Sequence, residues 1–352
     1  MRPLTRRMPV SYSFMNSTKK RIIIYRVGAI GDVVHTLPFV KLLRKNNPEA
    51  QIEYIVGSRQ LFDLLEQCTS YIDKVWLVSK KSLARDLSQI AKVDEFVFLH
   101  SGWLKAWWLN LRFIKASKLC IYKRDDSLSA VANYVTSYYP NQKSQLLVDA
   151  FKLLEWQTLT PISKGNIPAH LAPNTHHLNP YICIVPGVGN LRPHRAYPLN
   201  KWAELITKQL NNTDNNIILL GGPDEQELSL ALDNILSAEL TPELKLRVEN
   251  LIGKTSLVDL VTILRQAQHL YSADTGILHI GAAVGVPITS VFSITSPKRF
   301  GPFSPNAKVT RSAQCLCEAS STNRPKHCKY SEDNIAKCMN AILARELVEN
   351  DS

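Results

Sequence analysis

Short runs of β-branched and aliphatic residues alternate along the chain with longer segments in which apolar residues recur at helical spacing. In the first half, strand-like runs lie at residues 22–25, 52–56, 74–78, 96–99 and 119–122, with helix-like segments at 34–46 and 104–114. In the second half, strand-like runs lie at 181–185, 217–220, 270–272 and 288–292, with helix-like segments at 199–210, 225–236 and 257–266. Strands alternating with helices are typical of parallel sheets, and the pattern starts twice. The sequence therefore predicts an α/β protein with two doubly wound domains.

A proline-rich segment separates the two halves. Residues 158–180 show little apolar periodicity and contain Pro161, Pro168, Pro173 and Pro180, which indicates an interdomain linker. We predict five regions: a basic, disordered tail at 1–20, a first domain at 21–165, a linker at 166–180, a second domain at 181–330 and a C-terminal helix at 331–352. Two doubly wound domains facing each other would share a cleft at the carboxyl ends of their strands.

The composition narrows the class of protein. Of 352 residues, 45% are hydrophobic and 20% are charged, which excludes a disordered chain or a coiled coil. Lysine and arginine number 42 against 30 acidic residues, a net charge of +12 that predicts anionic partners. The excess is partly local, because residues 1–20 carry five bases and residues 298–311 carry four, neither segment holding an acid.

The sequence predicts cytoplasmic residence and leaves open peripheral contact with the inner membrane. The basic amino-terminal segment lacks the continuous apolar core of a secretory signal. The longest nearly uncharged run, residues 277–294, is divided by Gly281, Gly285 and Pro287, so it reads as a buried helix, a turn and a buried strand.

The first predicted strand leads into Gly28-Ala29-Ile30-Gly31-Asp32-Val33-Val34-His35. This is neither the dinucleotide-binding G-x-G-x-x-G motif nor a P-loop. Two glycines before a helix let the backbone approach a ligand and leave amide donors facing it. Asp32, at the start of that helix, has two interpretations: an N-cap, or a carboxylate acting as a general base at the mouth of the cleft.

In the second half, Ser272-Ala273-Asp274-Thr275-Gly276-Ile277-Leu278-His279 joins a strand to a helix of small residues. The Thr275 and Gly276 amides, with the helix dipole, would suit a pyrophosphate. Asp274 would repel phosphate, so we expect it to cap the helix or to bind sugar hydroxyls. His279 either donates to a phosphate oxygen or packs on the helix face.

Two further strand-end loops carry candidate ligands. The glycine-bearing loop at 186–198 holds Arg192, His194 and Arg195, which suit a diphosphate leaving group or form a solvated basic loop. The loop at 221–225 ends in Glu225, which could accept hydrogen bonds from ribose hydroxyls. The chain has no D-x-D arrangement for a divalent cation, which favours metal-independent chemistry.

The seven cysteines divide into two groups. Cys68, Cys120 and Cys183 stand alone in apolar surroundings, as buried free thiols do. The others, Cys315, Cys317, Cys328 and Cys338, fall in one C-terminal stretch without the paired knuckles of a zinc ribbon. They either hold a structural iron or zinc ion or are reduced thiols near the surface.

Three segments together resemble the glycosyltransferase family 9 heptosyltransferases: Arg26 to Pro38, Gly221-Gly222-Pro223-x-Glu225, and Asp274-Thr275-Gly276-x-x-His279 through Pro287. The resemblance covers residues 21–303 and keeps the family's order of motifs. It implies a GT-B fold, with two Rossmann-like domains facing a central cleft, the first binding the acceptor and the second the nucleotide sugar. It also implies inverting transfer of heptose from ADP-heptose to the lipopolysaccharide inner core, onto Kdo or heptose.

The resemblance assigns roles by position. Asp32 matches the family's proposed base, Asp274, Thr275, Gly276 and His279 match donor-binding residues, and Glu225 matches the acid that contacts ribose. Arg195 replaces a lysine of the family, and Thr255 stands where a relative places an apolar residue against adenine. Gly31 and His35, in the first motif, are assigned to the acceptor.

An anionic inner-core acceptor fits the basic composition. The candidate cations near strand ends of the first domain are Lys80, Lys81, Lys105, Lys123 and Arg124, unless they are ordinary surface charges. In the implied reaction Asp32 takes a proton from the acceptor hydroxyl, no cofactor is required, and ADP leaves from the opposite face of the sugar.

Two other functions are weighed. A protein acceptor is one, since similar heptosyltransferases that modify autotransporters bear a cysteine-bound iron, and the C-terminal cysteines would fit such a metal. A nucleic-acid-binding protein is the other, but the chain has no recognisable nucleic-acid motif or basic helix with interleaved aromatics.

Overall fold

The strands form two separate sheets in which every described pair is parallel. A computed structural model describes residues 19–79, 81–90, 93–141, 147–149, 151–152, 156–160, 180–189, 195–293, 295–311, 339 and 342–349. The first sheet has the order β3-β2-β1-β4-β5, with β1 Arg21–Tyr25, β2 Gln51–Val56, β3 Lys74–Leu77, β4 Glu95–Phe98 and β5 Lys118–Ile121. The second has the order β11-β10-β9-β6-β7-β8, with β6 Tyr181–Val185, β7 Asn216–Leu219, β8 Val248–Asn250, β9 His269–Ala273, β10 Ile288–Phe292 and β11 Ala307–Arg311.

Helices connect the strands of each sheet. In the first half they are Ile30–Val34, Leu37–Asn46, Arg59–Cys68, Leu83–Ser88, Trp103–Leu109 continued as a π-helix over Asn110–Ile114, and Ala130–Tyr138. In the second half they are Leu199–Asn212, a 3-10 turn at Pro223–Glu225, Gln226–Glu239, Pro242–Lys245, Leu257–Gln266, Gly276–Val284, Pro297–Phe300 and Ala344–Glu349. Each half thus reverses its strand order once, at β1/β4 and at β6/β9, where doubly wound folds bind ligands. The predicted pair of doubly wound units is confirmed.

The central strands read as continuous apolar runs because both of their faces are covered. All of β4 and β6 is buried, and so are four of the five residues of β1. The edge strands β8 and β11 are partly exposed and have mixed composition. The apolar pattern predicted the central strands and also the edge strands β3 and β5 of the first sheet, but it missed β8 and β11.

One predicted helix is in fact two. Residues 34–46 divide at His35 and Thr36, and the second helix has Pro38 in its first turn. Proline has no N–H and restricts the residue before it, so it starts a helix readily and interrupts one. The break places His35 at the end of the short helix that carries Asp32.

A short segment after the first half contacts both halves. The amides of Thr158 and Leu159 donate to the carbonyl of Ala283, at 2.8 and 3.1 Å, and the amide of Thr160 donates to Cys68 at 2.9 Å. Residues 161–179, which contain the predicted linker, lie outside the described residues. The domain boundaries therefore stay a prediction.

The isolated cysteines are buried and free, as predicted. Burial raises the pKa of Cys68 to about 12, so its thiol stays protonated. The clustered Cys315, Cys317, Cys328 and Cys338 lie outside the described residues, so their metal site stays a prediction. Among the described helices, none is both long and apolar enough to cross a membrane.

Candidate active site

The amino-terminal turns of two helices, one from each half, lie against each other. A Cβ atom on Gly31 would lie 2.6 Å from Cδ2 of His279, and one on Gly276 would lie 3.0 Å from Cβ of Ile30. Neither position has room for a side chain without movement of its neighbour. The loop after β1 and the loop after β9, which the sequence predicts to face one another, therefore meet directly.

Asp32 presents a half-exposed carboxylate beside this contact. It forms an ion pair with Arg26, Nη2 to Oδ1 at 3.0 Å, and its side chain is 45% exposed whereas that of Arg26 is 13% exposed. The N-cap of its helix is Ala29, and no side chain caps it, so the N-cap interpretation of Asp32 is wrong. Arg26 holds the carboxylate in place and leaves it half-exposed to solvent.

Asp274 is the centre of a buried ionic cluster. Its Oδ2 accepts from Thr295 Oγ1 at 2.6 Å and pairs with Arg195 Nη1 at 2.8 Å, while its Oδ1 lies 3.8 Å from His279 Nε2. Burial opposes ionisation, but His279, Arg195 and Thr295 outweigh it and hold the pKa of Asp274 below its usual value. The expectation that Asp274 caps the helix is wrong, because Thr275 is the N-cap and accepts from the Leu278 amide at 3.2 Å.

Two histidines, one from each half, contact each other here with their rings tilted by 55°. The ring centroids of His35 and His279 are 4.1 Å apart, and His35 Nε2 lies 3.3 Å from the carbonyl oxygen of Gly301. Burial, reinforced by His279, lowers the pKa of His35 to about 3, so its ring is neutral and Nε2–H donates to Gly301. Within the described structure, Nδ1 of His279 is buried and has no hydrogen-bond partner.

The neutral state of His35 predicts a loss of stability in acid. Between about pH 3 and 6.5 the unfolded chain binds a proton that the folded chain does not, so stability falls with falling pH. From about pH 8 to pH 5 the wild type should lose about 2 kcal/mol of unfolding free energy more than His35→Gln. Urea unfolding measured across this range checks it. His100→Gln, at a partly exposed histidine, should keep the wild-type slope, and equal slopes in wild type and His35→Gln would contradict the prediction.

Glu225 holds two loops of the second half together. Its Oε1 accepts from the Gly189 amide at 2.7 Å and its Oε2 from the Gly222 amide at 2.8 Å. A Cβ on Gly187 or Gly221 would lie 2.1 or 2.4 Å from these oxygens, so glycine is needed there for the carboxylate to fit. The structure thus gives Glu225 a structural role that the sequence did not reveal, and its contact with ribose stays a prediction.

The other predicted donor residues lie at the same edge of the second sheet. Arg195, Asp274, Thr275, Gly276 and His279 come together at the carboxyl ends of β6 and β9. Thr255 lies just before the helix Leu257–Gln266, and its buried Oγ1 has no hydrogen-bond partner in the described part of the chain. Arg192 and His194 lie outside the described residues.

The predicted acceptor residues divide into two groups. Gly31 and His35 lie at the contact between the halves. The exposed cations Lys81, Lys105, Lys123 and Arg124 follow β3, β4 and β5, at the sheet edge that carries Asp32, and Lys80 lies outside the described residues. The structure shows no contact of these cations with Asp32, and their role stays a prediction.

A cavity of about 230 Å³ between the halves contains cations that the sequence analysis did not assign. Its lining includes His35, Asp149, Lys152, Lys298 and Arg299. Arg299, from the second half, is 7% exposed at its side chain and pairs with Asp126 of the first half at 2.5 Å. The acid-free stretch at 298–311 indicated the charge of two of these residues, but no local signal pointed to Lys152.

The amino-acid sequence is similar to those of known heptosyltransferases. Lipopolysaccharide heptosyltransferase 2 of Salmonella typhimurium is 30% identical over 132 residues, which are 38% of this chain. The match spans about a third of that relative's length, 36%. Lipopolysaccharide heptosyltransferase 1 of Pseudomonas aeruginosa is 24% identical over 301 residues, 79% of each chain.

The fold agrees with these matches. The solved structure of ADP-heptose lipopolysaccharide heptosyltransferase II from Escherichia coli superposes with a TM-score of 0.66 at 20% identity, covering 95% of this chain and 100% of that one. The predicted GT-B arrangement is thereby confirmed. The model of glycosyltransferase family 9 (heptosyltransferase) matches residues 108–329, more than half of the chain. The chain therefore belongs to glycosyltransferase family 9.

Proposed function

We propose that this enzyme transfers heptose from ADP-heptose to an anionic inner-core acceptor of lipopolysaccharide, with inversion at the anomeric carbon and without a catalytic metal. One observation supports it above the others. The half-exposed carboxylate of Asp32 stands beside the contact between Gly31 and His279, so a base and a donor-binding cluster share one crevice. The names of the relatives support the donor and acceptor classes.

In the proposed reaction Asp32 accepts the proton of an acceptor hydroxyl. The hydroxyl oxygen forms a bond to the anomeric carbon while the bond from that carbon to the diphosphate breaks, and ADP carries away the electron pair. Negative charge then grows on the diphosphate. The first amides of the Gly276–Val284 helix are suited to stabilise it, and so is the ring of His279 when its Nδ1 carries a proton.

Arg195 and Asp274 have a different part in this proposal. The cation of Arg195 is largely balanced by Asp274 at 2.8 Å, so the pair adds little net charge to the site. The pair instead holds the turn that begins with Thr275 and Gly276, because Arg195 Nη1 also lies 3.4 Å from the carbonyl oxygen of Asp274. We propose that the ion pair positions the phosphate-binding amides.

The cavity between the halves suits an anionic group of the acceptor. Lys152 and Lys298 supply cations against the carboxylate of Asp149, whereas the charge of Arg299 is balanced by Asp126, and His35 connects the cavity to the helix of Asp32. Burial lowers the pKa of Lys152, so a bound anion would stabilise its charged form. A carboxylate or phosphate of the inner core is such an anion.

Replacing Lys152 with Gln should raise the KM for the acceptor about tenfold or more and leave the KM for the donor unchanged. A lost charge-assisted hydrogen bond corresponds to that factor. Initial rates with each substrate varied in turn measure it. Lys201→Gln, at a lysine paired with Glu204 on the helix Leu199–Asn212, is the matched control and should change neither constant. A changed donor KM in Lys152→Gln would place the residue elsewhere in the site.

Product mass tests the proposed function as a whole. The full chain is incubated with ADP-heptose and, separately, with truncated inner-core lipids and with peptides. Addition of one heptose to a defined lipid supports the proposal. Addition to peptide alone would overturn the lipid acceptor and favour a protein acceptor, and metal analysis of the same preparation would show whether Cys315, Cys317, Cys328 and Cys338 hold an ion.

A further inference from the structure

The helix after β4 is apolar on both of its faces. On the inner face Ala106, Leu109 and Ile114 are buried against the first sheet. On the outer face the exposed residues are Trp103 at 65%, Leu104 at 61%, Trp107 at 55%, Trp108 at 49% and Leu111 at 61%. Five of the nine large apolar residues exposed in the described structure thus fall within nine positions, and their spacing aligns them in one stripe. We call this stripe the tryptophan face.

The chain segment that carries the tryptophan face has charges of one sign. From residue 96 to residue 124 the chain has no acid and six bases, Lys105, Arg112, Lys115, Lys118, Lys123 and Arg124. Lys105, Arg112 and Lys115 are exposed on the same helix or at its end. Tryptophan flanked by lysine and arginine on a surface helix is the composition of segments that lie in the headgroup region of a bilayer.

We propose that the tryptophan face docks on the surface of an anionic lipid bilayer. Two physical arguments favour lipid over other partners. A symmetric contact with a second copy of the chain would bring these bases close to those of its partner. In a bilayer the indoles reach the boundary between headgroups and acyl chains, while the bases contact lipid phosphates at about 1 kcal/mol each.

The position of the tryptophan face connects it to the active site. Trp103 follows the carboxyl end of β4, the strand next to β1, and Lys105 Nζ lies 5.6 Å from the ring centre of Tyr25, the last residue of β1. The loop of Asp32 starts at the same edge. Docking would hold the Asp32 edge beside the bilayer. The inference that docking brings the site to a lipid-borne acceptor rests on the proposed function, whereas docking itself does not.

Vesicle flotation of the full chain tests the proposal. The wild type should bind vesicles of phosphatidylcholine with phosphatidylglycerol, with a blue shift of tryptophan emission. Trp103→Ser combined with Trp107→Ser should weaken binding at least about tenfold, because two indoles no longer leave water. Arg112→Gln with Lys115→Gln should weaken binding to the anionic vesicles and make it less sensitive to salt.

The controls separate this role from folding and from catalysis. Leu230→Ser with Leu246→Ser removes two equally exposed apolar side chains elsewhere and should keep full vesicle binding. The tryptophan variant should keep the wild-type unfolding transition and the wild-type rate on a deacylated, water-soluble acceptor. If the wild type shows no transfer to this soluble acceptor, the result counts against the proposed function and not against docking.

Three outcomes would overturn docking. The wild type could fail to bind anionic vesicles. The tryptophan variant could bind as well as the wild type, which would assign the attraction to the basic segment at 1–20. Finally, the wild type could be a dimer that ignores vesicles and becomes monomeric in the tryptophan variant, which would make the face an interface between two copies of the chain.

Discussion

Asp32→Asn should give a folded protein that binds the donor normally and transfers the sugar at least about a hundredfold more slowly, the scale of a lost general base. Asparagine has nearly the same shape, but its amide cannot take the proton of an attacking hydroxyl. Because the side chain is 45% exposed, the fold should tolerate the change. Steady-state kcat, with donor affinity measured by calorimetry, checks both parts.

Asp63→Asn is the matched control for Asp32→Asn. Asp63 also pairs with an arginine, Arg59, at 2.9 Å, but it lies on the helix Arg59–Cys68, which carries none of the candidate site residues. Its loss should leave turnover unchanged. Near-normal turnover of Asp32→Asn would limit Asp32 to its ion pair with Arg26 and would require another group to take the proton.

Asp274→Asn should lower the free energy of unfolding by about 3–5 kcal/mol, as is usual when one member of a buried ion pair is removed. The variant leaves the guanidinium of Arg195 buried without the carboxylate that lies 2.8 Å from it. The hydroxyl of Thr295 loses an ionised acceptor as well. Denaturant unfolding measures the loss, and a change below about 1 kcal/mol would contradict the description of a buried ion pair.

A double variant separates the structural part of this cluster from donor binding. Arg195→Met with Asp274→Leu removes both charges and should recover most of the stability that the single variant loses. Donor affinity should not recover, because the side chains that position the Thr275 and Gly276 amides are then absent. Recovery of donor affinity together with stability would mean that the cluster serves folding alone.

The sequence predicted what depends on local pattern. Buried central strands such as β4 and β6 are continuous apolar runs, and the repeated alternation with helices shows the fold class. The edge strand β11 was missed because none of its residues is buried and its composition is mixed. The helix Ala130–Tyr138 was missed although Ser129 caps it, since its small and aromatic residues have little amphipathic contrast.

Motifs indicated which residues to examine, and the structure brings the loops of Asp32 and Asp274 together, while their roles stay a prediction. Capping, one of two interpretations for each aspartate, is wrong because the caps are Ala29 and Thr275, nearby positions that spacing does not distinguish. Lys152 and Arg299 are 147 positions apart and share one cavity only after folding. No pattern within either segment predicts that meeting.

The hydrogen bonds of Thr158, Leu159 and Thr160 also limit how far the two halves can move relative to each other. They tie residues 158–160 to Ala283 of the second half and to Cys68 of the first, so a change in the angle between the halves would strain these three hydrogen bonds. Arg299 and Asp126 form a second tie between the halves, and because the Arg299 side chain is only 7% exposed, separating the pair would leave a buried guanidinium without its carboxylate.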